Sequence, residues 1–175
     1  MHRFTELADR AASLALNALN EAETETIEAL QTNGATVHVK NLQMIRLSKA
    51  IFAVGMFSVF EAMLQDSLDK SGGFEEARKL LRSVGEADLE RRFHDYQLAI
   101  NALKHGEGGS YKKLLARRDA LPFKVFSRDD ENEFEGDVSA ISTLVDVDDA
   151  FVEACGGLIH EVSEVIARVK PDVWL

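Results

Sequence analysis

One cysteine, two prolines and no uncharged apolar run long enough to cross a bilayer set the first limits on this 175-residue chain. A lone Cys155 leaves no partner for an internal disulfide and no thiolate cluster for a metal, and it fits a reducing compartment. With Pro122 and Pro171 as the only prolines, long helices are permitted almost everywhere. The N-terminal MHRFTELADR has no apolar h-region and no small-residue cleavage site, so no secretory leader is expected and the chain is placed in the cytoplasm. The most apolar run, Ala50 to Leu64 (AIFAVGMFSVFEAML), is shorter than the roughly 20 residues of a membrane span and contains Glu61. It reads as a buried core helix, with no membrane partner. Histidines at 2, 38, 94, 105 and 160 show no ligand spacing, so neither a metal nor another cofactor is expected. No internal repeat or low-complexity segment is present.

What is there is globular composition, 46% hydrophobic and 29% charged, enough for one domain over 1–175 with a single core. The net charge of −10 repels polyanions over the molecule as a whole. Its distribution is uneven. From Arg91 to Lys124 eight Lys or Arg face three acids, a local surplus of five positive charges, whereas Asp129 to Glu153 holds ten acids and no Lys or Arg.

Periodicity gives the elements. Phe4, Leu7, Ala11, Leu14, Leu16, Leu19 and Ala22 mark an amphipathic helix over 4–31, stopped by an Asn33-Gly34 pair that tolerates positive φ. The following ATVHVK is expected to be irregular or extended. From about Asn41 to Lys70 apolar residues wrap most of a second helix, which marks it as central. A short helix in FEEARKLLRSVG and a third long one from Glu86 to His105 follow. Ser110 is the expected N-cap of a short helix, YKKLLARRD. Residues 122–147 are expected to form a β-hairpin with an acidic arm, Phe123 to Phe126 pairing with Thr143 to Val147. Asp148 and Asp149 then open a last helix whose Gly156-Gly157 predicts close packing or a kink. The expected fold class is all-α: four long helices in an up-down bundle, short helices between them and a small hairpin before the last.

The stretch that asks for chemistry is INALKHGEGGSY, residues 100–111. On a helix His94, Gln97, Asn101 and His105 share one face, while Phe93, Tyr96, Ile100 and Leu103 turn to the core. The macrodipole favours positive charge in the last turn, where Lys104 and His105 stand. Tyr111, Lys112, Lys113 and Arg117 follow the glycines, and Arg91 precedes them. These are read as the RNA- or partner-binding set, with Asn101, Lys104 and His105 as the catalytic candidates. Glu61 and His94 are supporting residues; Glu61, in the most apolar helix, needs a partner that Lys104 or His105 would supply. Cys155 is read as a packing residue, Trp174 as docking on the bundle or on a second subunit, and the acidic 129–137 segment as a solvated loop.

Asn101-Ala102-Leu103-Lys104-His105, the GEGGSY that follows and the helical layout resemble the HEPN superfamily of bacterial toxin–antitoxin, abortive-infection and CRISPR-associated proteins. The resemblance implies a metal-independent ribonuclease site, usually built across a homodimer, in a stress or phage-defence setting. In the family's pattern an Arg and a polar residue are followed by three residues and His; the His moves a proton and the Arg holds phosphate. Asn101 and His105 match. Ile100 stands where the Arg belongs. The first reading is therefore a degenerate, noncatalytic module that binds RNA or a cognate protein and is itself a homodimer. A metal-independent endoribonuclease with His105 as acid or base and Lys104 in the arginine's place is the second, and a purely structural bundle the third.

Overall fold

A computed structural model describes residues 4–68, 71–127 and 143–173. The described chain is all-helical: α1 Phe4–Thr32, α2 Thr36–Leu68, α3 Gly73–Ser83, α4 Ala87–His105, α5 Gly109–Leu115, a 3₁₀ turn Arg118–Ala120, and α6 Asp149–Val169. α1 and α2 pack antiparallel across the connection at 33–35, with Phe4 at the start of one ring-stacked 6.3 Å from Phe60 near the end of the other. α2 touches α1, α3, α4 and α6, as its all-round hydrophobicity predicts.

One core cluster joins every helix. Its centre is aromatic: Phe57 and Phe60 of α2, Phe74 of α3 and Phe93 of α4, with Phe74 and Phe93 edge to face at 5.4 Å. A second group, Tyr96, Phe123 and Phe151, has centroids 4.9 to 5.2 Å apart and ties α4 to α6 and to the segment after the 3₁₀ turn. Cys155 is buried here as a packing residue, and burial pushes its thiol up. Asp148 caps α6 as expected, its Oδ1 accepting the Phe151 N–H at 2.8 Å.

Several expectations are corrected. α2 begins at Thr36, so ATVHVK is helical in its last five residues; the small propensity cost of Thr36, Val37 and Val39 yields to extension of a helix already anchored by Leu42 and Ile45. At that length an 18-residue window of α2 has mean hydropathy 1.6, and α2 meets the length and composition of a membrane span although its inner face is buried on other helices. Gly34 does not take positive φ. Gly108, not Ser110, is the N-cap of α5, and α5 ends at Leu115. α6 runs unbroken through Gly156 and Gly157, and of the two alternatives expected there it is packing that is seen: Gly156 is buried, with Asp9 Oδ1 3.7 Å from where a Cβ would stand.

No strand forms among the described residues, so the hairpin is replaced by a single antiparallel bridge, Val125 to Val145. Its hydrogen bonds run from Phe126 N–H to Leu144 O (3.1 Å) and from Asp146 N–H to Lys124 O (3.0 Å). The segment is held by side chains instead of a ladder. Val125, Val145 and Val147 are buried in the helical core, Pro122 has no N–H to donate, and the Phe126 carbonyl accepts the Tyr111 hydroxyl at 2.8 Å. The acidic 129–137 segment and Trp174 lie outside the described residues.

Gly73 marks where α3 meets α2. A Cβ there would stand 2.7 Å from the Glu61 carbonyl oxygen and 2.8 Å from Leu64 Cβ. Backbone cannot yield as a flexible side chain would, so Gly73→Ala is expected to lower stability by about 1–3 kcal/mol by overpacking. Urea unfolding checks this, and an alanine variant as stable as wild type would show that the two helices slide apart at no cost.

Candidate functional site

α4 delivers its last turn to the surface. Phe93, Tyr96, Ala99 and Ile100 are buried on its inner side, which turns Asn101, half-buried, and Lys104 and His105, exposed, outward. Gly106 ends the helix at φ 73°, a conformation glycine takes without steric cost, and its N–H bonds to Ala102 O at 2.8 Å. Three residues later α5 begins and presents Lys112 and Lys113 on its outer face. Among the described residues Asn101, Lys104, His105, Lys112 and Lys113 have no hydrogen-bond or ion-pair partner. They are the sequence-chosen residues that stand open at one corner of the fold.

The others are engaged elsewhere. Tyr111 is buried and its hydroxyl holds the Phe126 carbonyl, because it shares the inner side of α5 with Leu114. Arg117 grips buried Asp95 of α4, Nη1 to Oδ1 at 2.9 Å and Nη2 to Oδ2 at 3.0 Å, a two-pronged pair that fastens the chain after α5 back onto α4. Arg91 pairs with Asp88 one turn earlier, and at 1.5 Å per residue lies about 21 Å along α4 from His105. His94 is about 16 Å away by the same measure. It is half-buried with Nδ1 3.4 Å from Gln97 Oε1, and burial, aided by the Arg78 charge, pulls its pKa down, so near pH 7 it is a neutral imidazole. Glu61 is half-buried on α2 and forms no hydrogen bond or ion pair with Lys104 or His105. Ile100, at the place of the family's arginine, is 2% exposed and part of the core.

The densest polar constellation is one that motif reasoning missed. Lys49 of α2, its side chain 8% exposed, reaches Glu23 Oε2 of α1 at 2.9 Å and Asp149 Oδ1 of α6 at 2.8 Å, while Asn20 Nδ2 donates to Asp149 Oδ2 at 2.5 Å. Burial alone would lower the Lys49 pKa, but its bonds to Asp149 and Glu23 prevail and raise it. Asp149 moves the opposite way: burial pushes it up, and Lys49 and Asn20 bring it down below its ordinary value. The signal in the sequence is register, since Lys49 sits between Ile45, Ala53 and Met56 on the inner face of α2. Among the described residues no group of three or more His, Cys, Asp or Glu is placed to hold a metal ion. The Lys49 cluster is a clamp between three helices, whereas the corner at the end of α4 gathers the exposed side chains of Lys104, His105, Lys112 and Lys113.

Compared with known proteins, the chain matches no family model, no curated protein and no solved structure.

Proposed function

We propose that this chain is a HEPN-like cytoplasmic module, its long helices α1, α2, α4 and α6 arranged as in that superfamily, that binds RNA without cutting it through the corner where α4 runs into α5. The observation that carries the reading is the pairing of a buried Ile100 with four open basic or imidazole side chains, Lys104, His105, Lys112 and Lys113. An aliphatic group in the core cannot hold a scissile phosphate, whereas ammonium groups at a surface bind phosphates as point charges. Arg117, which would have been the strongest phosphate ligand nearby, is committed to Asp95. The overall charge of −10 opposes polyanions, so binding rests on this local surplus and weakens steeply with salt.

Fluorescence anisotropy of a labelled single-stranded RNA, in EDTA, tests the reading. With three to four phosphates neutralised, log affinity against log salt should fall with a slope of about −2 to −3. Reversing both lysines, Lys112→Glu with Lys113→Glu, is expected to weaken binding at least tenfold, and the RNA should stay intact throughout. Cleavage in EDTA that His105→Ala abolishes would overturn the noncatalytic reading in favour of the endoribonuclease. Absence of binding at low salt would remove RNA and leave the corner to a protein partner.

A further inference from the structure

The outward face of α2 carries a problem the single chain does not solve. From Met44 to Ala62 it presents Met44, Leu47, Ser48, Ile51, Gly55, Ser58, Val59 and Ala62 with no charged residue among them. Met44 is 58% exposed and Ile51 62% exposed. Gly55, in the middle of a 33-residue helix, costs about 1 kcal/mol relative to alanine. Nothing in the fold requires it, because a Cβ at 55 would meet no atom within 4 Å. A glycine that no intrachain contact needs, on the outer face of the most apolar helix, marks the close approach of something outside the chain.

We infer that this face is an interface with a second copy of the chain, two α2 helices crossing antiparallel about a two-fold axis at the level of residue 53. The face is complementary to itself in that arrangement. Residues whose numbers sum to 106 oppose each other: Ile51 sits over Gly55 of the other copy, Leu47 over Val59, Met44 over Ala62 and Ser48 over Ser58, large against small at two of the four levels. At the ends Lys40 meets Asp66. Both are exposed, and neither has an ion-pair partner among the described residues. Every one of these contacts occurs twice, as an isologous interface demands.

The area suffices. A stable dimer buries about 800 Å² per partner. Besides the α2 stripe, α1 leaves Leu7 and Leu14 open one heptad apart, Leu14 at 73%, on the helix packed beside α2. Met44, Leu47, Ile51 and Val59 are all at least 46% exposed, and clustered aliphatic side chains of this kind are seldom left bare on a monomer. The inference does not rest on the RNA reading, since α2 and the α4–α5 corner share no residue.

Sedimentation equilibrium of the full chain is the test, with charge exchange as its control for register. Wild type should be a dimer. Lys40→Asp or Asp66→Lys alone places like charges opposite each other twice and should weaken the dimer at least tenfold; the two together should restore it. Gly55→Leu should give a folded monomer with the helical content of wild type, because no intrachain contact is lost. A wild-type protein that stays monomeric at 100 µM, or a dimer indifferent to Gly55→Leu and to both charge changes, would overturn the proposal. So would a monomer that cosediments with phosphatidylcholine vesicles, which would give the apolar face to lipid.

Discussion

Phe93→Ala is expected to lower the unfolding free energy by about 3–5 kcal/mol, the range for deleting a fully buried ring with incomplete collapse around the void. The site has little room to collapse. Phe93 has no exposure and its ring contacts Phe57, Phe60 and Phe74, whose own positions are fixed by two other helices. Removing it opens a space bordered by α2, α3 and α4 together, so no single helix can shift to fill it. For a domain of this length the midpoint of thermal unfolding should fall by roughly 10 °C or more. Phe93→Leu, which keeps most of the volume and loses the edge-to-face geometry, should cost about 1–2 kcal/mol. Chemical unfolding at unchanged m-value measures both. A loss under 1 kcal/mol for alanine would mean that the four rings are not the centre of the core.

Lys49→Ala should be the most damaging change to a polar residue. Truncating one partner of a buried ion pair leaves the other charge uncompensated, worth about 3–5 kcal/mol when fully buried. Here the carboxylates are 28% and 39% exposed, so water relieves part of the penalty and about 2 kcal/mol is expected. The triple change Lys49→Met, Glu23→Gln, Asp149→Asn removes every charge and should lie nearer wild type than Lys49→Ala does.

The pH dependence has a definite sign. Asp149 titrates below its ordinary 3.8 in the folded chain, so its stabilisation is present above that value and is lost as pH falls through the folded pKa. Lys49 titrates above its ordinary 10.5, so its share is present below that value and is lost as pH rises through the folded pKa. The clamp therefore operates from weakly acidic to weakly alkaline pH. In the triple variant the fall in stability below about pH 4 should be shallower than in wild type; an identical acid limb would show that other carboxylates control it.

Much of this architecture was legible before any coordinate. The stripe from Phe4 to Ala22 gave α1 to within a residue at its end, Asp148 gave the start of α6, and glycine after His105 gave the end of α4. Each signal is local: a 3.6-residue repeat, a capping carboxylate, a backbone turn that glycine takes freely. The strand reading of Phe123 to Phe126 failed where local signals compete. β-branched and aromatic residues favour any half-buried surface, and here the surface was supplied by helices.

The candidate site divides along the same line. That Lys104 and His105 stand outside and Ile100 inside follows from helix phase alone. That Arg117 is withdrawn from the corner does not, since any of several nearby cations was free by sequence to neutralise Asp95, 22 residues away. Tyr111 turned inward because α5 is short and docks on α4 by Tyr111 and Leu114.

By itself the sequence determined most of where the chain is helical, which residues of each helix are apolar on one side, and that α2 must be central. Only the tertiary structure decided which helices meet across α2, that Lys49 joins Glu23 to Asp149 over 126 residues of chain, and that the outer face of α2 is left uncovered. Helical phase is set by neighbours within a turn or two, so it is written in short windows. Charge pairing and coverage depend on which faces come together in space, and that is settled by the packing of the whole core at once.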